Sequence, residues 1–118
     1  MFIGHYSASL VAKRMAPEVP LALLFIAAQA VDIGWAVLVA AGVEQVRITP
    51  GFTAASPLDL HYMPYTHSLP AALAWAVAVA ALAAACLPRL RTRRALVAIG
   101  AVVFSHWLLD WAVHVPDL

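Results

Sequence analysis

The stretch 95–115, ALVAIGAVVFSHWLLDWAVHV, decides the fold. It is long and apolar enough to cross a bilayer, which takes about 20 residues. Yet it carries Ser105, His106, Asp110 and His114 along its length. Two further runs have the same character. Residues 21–43 are interrupted strongly only by Gln29 and Asp32, and residues 69–87 are apolar throughout. The chain as a whole is 64% hydrophobic and 11% charged, against about 45–50% and about 25% in soluble domains. The expected architecture is therefore all-α: a membrane-embedded bundle of three spanning helices plus a short N-terminal helix, forming one domain over residues 1–118.

Several local signals refine this frame. Residues 1–12 are apolar but too short to span, and read as an interfacial or half-inserted helix. Lys13-Arg14 follows this stretch instead of preceding it, unlike a cleavable signal peptide. Ser68-Leu69-Pro70 is a serine cap with proline just inside a helix. Ala72, Ala76, Ala80 and Ala84 then recur every fourth residue, a small-residue face that admits a neighbouring helix. The connection 44–68 contains Pro50-Gly51, Pro57 and Pro64 and shows no sustained helical or strand period. Its aromatic and apolar content reads as an ordered cover over the helix ends. The lone Cys86 reads as a packing thiol.

Charge gives an orientation. Lys13, Arg14, Arg89, Arg91, Arg93 and Arg94 fall on one side of a three-span arrangement, and Arg47 alone on the other. Positive residues favour the cytoplasm, which places the N-terminus inside and the long connection outside. Seven basic against six acidic residues give no reason to expect nucleic acid as a partner.

The polar residues inside the spans carry the chemistry. An ionisable side chain at mid-membrane costs about 2.5–3.5 kcal/mol on insertion scales. Asp32, roughly 18 Å into its span, needs a partner, a proton or a cation. His106, Asp110 and His114 share one helix face at i, i+4 and i+8, at depths of roughly 17–29 Å. The level of Asp32 matches that of His106. His67, at the entrance of the second span, lies on the same outer side, where the positive helix end favours the neutral ring. His5 joins them if the first short segment dips beside the first span. Imidazole and carboxylate suit zinc and related divalent metals. The same residues also suit a proton or cation relay, or interhelical hydrogen bonds that only lock the packing. His61 reads as a solvated loop histidine, and Trp107, Trp111 and Tyr65 as packing or interface aromatics.

Four elements together resemble a known family: Gly4-His5, Asp32 in the first long helix, Thr66-His67-Ser68-Leu69, and Ser105-His106-Trp107-Leu108-Leu109-Asp110. They occur in the order found in the YdjM-like family of bacterial inner-membrane proteins, identified as metal-dependent hydrolases. That family is distantly similar to the all-helical zinc-dependent phospholipase C fold. The resemblance implies His5, Asp32, His67, His106 and Asp110 as metal ligands, with Asp32 or Asp110 available as general base. It implies zinc as the metal and a membrane lipid phosphoester as the substrate class. One departure stands out: Ala30-Val31-Asp32-Ile33 replaces the family's Pro-Asp-x-Asp, so a second carboxylate is missing. Relatives also continue with hydrophobic sequence after the last motif, which implies that the domain over 1–118 is incomplete at its C-terminal end.

Overall fold

The computed structural model describes residues 2–52 and 57–113. Four helices dominate it: α1 (Phe2–Met15), α2 (Leu21–Ala40), α3 (Leu69–Cys86) and α4 (Arg93–Val113). The last three are 20, 18 and 21 residues long and apolar enough to cross a membrane. At about 1.5 Å per residue they measure roughly 27–32 Å, the thickness of a bilayer's hydrocarbon core. Many large apolar side chains face outward: Ile26, Ile33, Val37, Leu73, Val77, Leu82 and Val97 are all exposed. Buried are small residues such as Ala12, Ala27, Ala28, Ala76, Ala83, Ala95 and Ala98 and a few larger ones such as Leu24, Ile99 and Val102, together with His5, His67, His106 and Asp110. Polar groups inside and large apolar groups outside is the arrangement lipid favours, since lipid does not drive apolar side chains inward.

Helix ends are set by local chemistry. After α1, Lys13 Nζ donates to the carbonyls of Pro17 and Val19 at 2.6 and 2.9 Å, closing the turn into α2. Ser9 Oγ then donates across to Leu24 O at 2.9 Å, a buried bond that ties the two helices side by side. The sequence expectation ran the first span to residue 43, but α2 stops at Ala40. Gly42 adopts φ 73°, and Gly42 N and Val43 N donate to Val39 O and Leu38 O at 3.0 and 2.9 Å. This is a Schellman stop, which needs the left-handed residue that glycine supplies. Ser68 caps α3 as predicted, its Oγ accepting from Ala71 N at 3.3 Å. Thr92 Oγ1 caps α4 by accepting from Ala95 N at 3.2 Å.

α1 packs on α2 and α4, while α3 packs chiefly on α4. Ala72 and Ala76 of the small-residue stripe are buried. A Cβ placed on Gly100 would lie only 3.7 Å from Ala76 O, so α3 and α4 approach closely. Cys86 corrects its sequence reading: it is exposed at the last residue of α3.

The connection between α2 and α3 also departs from expectation, because it contains an antiparallel hairpin. β1 (Gln45–Ile48) pairs with β2 (Leu58–Tyr62), Arg47 opposite Asp59 and Ile48 opposite Leu58. The register is irregular between Gln45 and Arg47, which hides the two-residue period in strands this short. At the far end of the bundle, Arg94 Nε donates to Glu18 Oε1 at 3.1 Å, joining the α1–α2 turn to the start of α4. Lys13 and Arg14, in the last turn of α1, thus share one end of the molecule with the arginines at and before the start of α4.

Candidate metal centre

Four separate elements deliver five residues to one place. His5 comes from α1, Asp32 from α2, His67 from the approach to α3, and His106 and Asp110 from α4. The depth arithmetic brought Asp32 and His106 to one level, and in the structure they meet. His106 Nε2 lies 3.3 Å from Asp32 Oδ1 and 3.2 Å from Asp110 Oδ2. His67 Nε2 lies 3.6 Å from the same two oxygens. His5 Nε2 lies 3.3 Å from Asp110 Oδ1, and the His5 ring stacks on that of His106 with centroids 3.8 Å apart. α1 therefore does reach into the bundle. His5 is 1% exposed and His106 is 0% exposed.

Orientation of the His106 and His67 rings follows from their other nitrogens. His106 Nδ1 lies 2.8 Å from the carbonyl oxygen of Ala28. A carbonyl only accepts, so Nδ1 carries a proton and donates it. In the neutral ring this leaves the lone pair on Nε2, the nitrogen that faces both carboxylates. One turn of α2 thus supplies both the carbonyl that holds the ring and, at Asp32, an oxygen it faces. His67 Nδ1 is 2.8 Å from Thr66 Oγ1, and Trp35 meets the His67 ring edge-on at 6.3 Å.

What results is a set of donors crowded around a shared point. Among the described residues, His5 Nε2 and His106 Nε2 have no hydrogen-bond partner although both are buried. Two overlapping groups, His5–Asp32–His106 and His67–His106–Asp110, each offer ligand atoms within 4.8 Å of one another, and could hold a metal ion. Three imidazoles and two carboxylates are a donor set for a divalent cation of borderline hardness. The spacing also fits. Bonds of about 2.0–2.1 Å in a tetrahedron put ligand atoms about 3.3–3.4 Å apart, and the nitrogen–oxygen distances here run from 3.2 to 3.6 Å. The exposures differ usefully, the Asp32 side chain being 17% exposed and that of Asp110 6%.

Of the other sequence candidates, His61 stays apart. His61 lies exposed on β2, in neither group. His114 lies outside the described residues. Phe104, Trp107 and Trp111 stack in sequence along α4 at 6.3 and 6.4 Å, as a packing ladder. The sequence reading missed Glu44, which is 1% exposed beside the site. Its Oε1 accepts from Tyr65 N and Thr66 N at 2.8 and 3.1 Å. Its Oε2 accepts from the Thr66 hydroxyl at 2.7 Å. The one available signal was an acid placed directly after the end of a span.

Family models, curated proteins and solved structures compared with the chain give no match.

Proposed function

We propose that this chain is a membrane-embedded, metal-dependent hydrolase of the YdjM-like type, acting on a lipid phosphoester. The observation that carries the reading is the spacing of His5, Asp32, His67, His106 and Asp110. Their facing nitrogen and oxygen atoms stand 3.2–3.6 Å apart in pairs, and they form two overlapping groups of three that could each hold a small cation. Zinc is the metal this donor set suits best. When bound, it supplies Lewis acidity, polarising a phosphoester and lowering the pKa of coordinated water toward about 7.

The chain's own residues divide the remaining work. His106 and His67 present Nε2 inward, with Nδ1 engaged behind. Asp110, the less exposed carboxylate and one turn from His106, serves as a ligand. Asp32, the more exposed, is placed to take a proton from an incoming nucleophile as general base. The apolar outer surface brings lipid to the bundle. We place the protein in a bacterial inner membrane, N-terminus in the cytoplasm, with the site toward the outer leaflet. A proton relay is the rival reading, because a proton between Nε2 and a carboxylate oxygen also satisfies separations of 3.2–3.3 Å.

Metal content separates the two. Protein purified in detergent, stripped and reloaded with zinc, should hold stoichiometric metal and release phosphate-containing headgroup from phospholipid vesicles. Helical protein that takes up no zinc overturns the hydrolase reading and leaves the relay. Protein that holds zinc without cleaving any phosphoester removes the substrate class.

A further inference from the structure

Glu44 is a carboxylate buried where a carboxylate is costly, and its hydrogen bonds are distributed unevenly. Both backbone donors, Tyr65 N and Thr66 N, go to Oε1. Oε2 receives the Thr66 hydroxyl at 2.7 Å. That hydroxyl has one proton, and an ionised carboxylate can only accept it. Toward His67 Nδ1, 2.8 Å away, Thr66 Oγ1 therefore has only a lone pair to offer. The imidazole must be the donor there. Its proton is fixed on Nδ1, and the lone pair on Nε2 faces Asp32 and Asp110. All three members of this chain are buried, at 1%, 0% and 5% exposure.

We infer that Glu44, acting through the Thr66 hydroxyl, is the positioning residue that sets the tautomer and ring orientation of His67 in the metal centre. The inference rests on the metal-centre reading for its purpose and on hydrogen-bond directionality for its content. Ligating histidines characteristically donate their other ring N–H to a fixed acceptor, and loss of that acceptor weakens metal affinity about 10–100-fold. His106 uses a backbone carbonyl for this, which no side-chain substitution can remove. His67 uses a side-chain pair contributed by the start of the hairpin and the residue before it. A mere tether for the segment 64–67 would need only the two bonds at Oε1.

Three variants separate positioning from tethering. Thr66→Val keeps the shape and both backbone bonds but removes the hydroxyl. Thr66→Ser keeps the hydroxyl. Glu44→Gln preserves a carbonyl for the backbone donors and replaces Oε2 with an amide N–H. That group donates to Oγ1, turns the threonine proton toward Nδ1 and moves the imidazole proton to Nε2.

The first readout is the ¹⁵N spectrum of histidine-labelled, metal-free wild-type protein, in which the two ring nitrogens of a neutral imidazole report its tautomer separately. His67 should carry its proton on Nδ1, and in Glu44→Gln on Nε2. The second is zinc affinity by competition with a chelating dye. Thr66→Val and Glu44→Gln should bind about 10–100-fold more weakly, with Thr66→Ser restored to near wild type. A wild-type His67 protonated on Nε2 overturns the inference without need of any variant. So does folded Thr66→Val with unchanged zinc affinity. Wild-type protein that binds no zinc overturns the metal centre instead, while the tautomer measurement still decides the role of Glu44.

Discussion

Nε2 of His106 lies 3.2 Å from Oδ2 of Asp110, one turn further along α4, and both side chains are buried. Two such residues four apart share a helix face by geometry alone. What the fold adds is a third partner, Asp32 Oδ1 at 3.3 Å, from a helix remote in sequence. Two carboxylates and a nitrogen lone pair repel one another at this range, so the arrangement needs positive charge among them, as a proton or a metal.

His106→Asn and Asp110→Asn should each weaken zinc binding beyond the roughly 100-fold limit of outer-shell losses, with helicity retained. His61→Asn should change nothing, since His61 is exposed on β2. Metal per protein, measured beside circular dichroism, checks both. Zinc retained in the first two variants would reduce these residues to packing groups.

Gly34→Ala should destabilise the fold by about 1–3 kcal/mol, the usual cost of overpacking. A Cβ there would lie 2.4 and 2.5 Å from Trp75 Cη2 and Cζ2. The indole cannot swing freely, because its Nε1 donates to Tyr65 O at 2.9 Å. Unfolding in graded detergent mixtures measures the loss, and Gly34→Ala combined with Trp75→Leu should recover part of it. Additive losses in the double variant would mean that the two positions do not touch.

Single cysteines at Thr49 and Thr92, in a Cys86→Ala background, report the proposed orientation. An impermeant thiol reagent added to intact cells should label position 49 and spare 92. Both wild-type residues are exposed, at opposite ends of the molecule. The reverse pattern would invert the site relative to the membrane.

Glu18 sits outside the spans, where its own backbone hydrogen bond, then the Arg94 guanidinium, hold its carboxyl below the ordinary value of 4.5. A depressed folded-state pKa stabilises the protein above the unfolded value, and that contribution is lost as pH falls through the folded one. Stability should therefore decline below about pH 4.5, and Glu18→Gln should flatten that part of the decline. The pair is exposed, so the effect should be small and should fade with added salt. An unchanged acid profile in Glu18→Gln would assign the decline to other carboxylates.

The spans were legible because hydropathy reports them directly, and Asp32 and His106 could be levelled by counting residues from the helix starts. Ser68 announced its cap, and with it the place of His67. The rest depended on contacts no local pattern encodes. Glu44 finds its donors at Tyr65 and Thr66, 21 and 22 residues on, and only the hairpin brings them together. The hairpin itself offers strands of four and five residues with an irregular register, too little alternation to recognise. Gly42 was visible as a residue but was not read as a stop, which ran the first span three residues too far. The apolar neighbours of Cys86 point to a packing thiol, a poor guide where many apolar residues face outward and Cys86 with them.

The distribution of the five polar residues over the chain also sets an order on biogenesis. α4 is the last of the described helices to leave the ribosome, and it brings His106 and Asp110 together. Until it inserts, Asp32 and His5 have no partner from α4, and of the cluster only His67, 3.6 Å from Asp32, is there to offset the acid. Assembly of the cluster is then a late event: a chain arrested before α4 leaves His5 and Asp32 without the His106 and Asp110 that complete their surroundings, and holds them in the bilayer at a cost that the finished bundle removes.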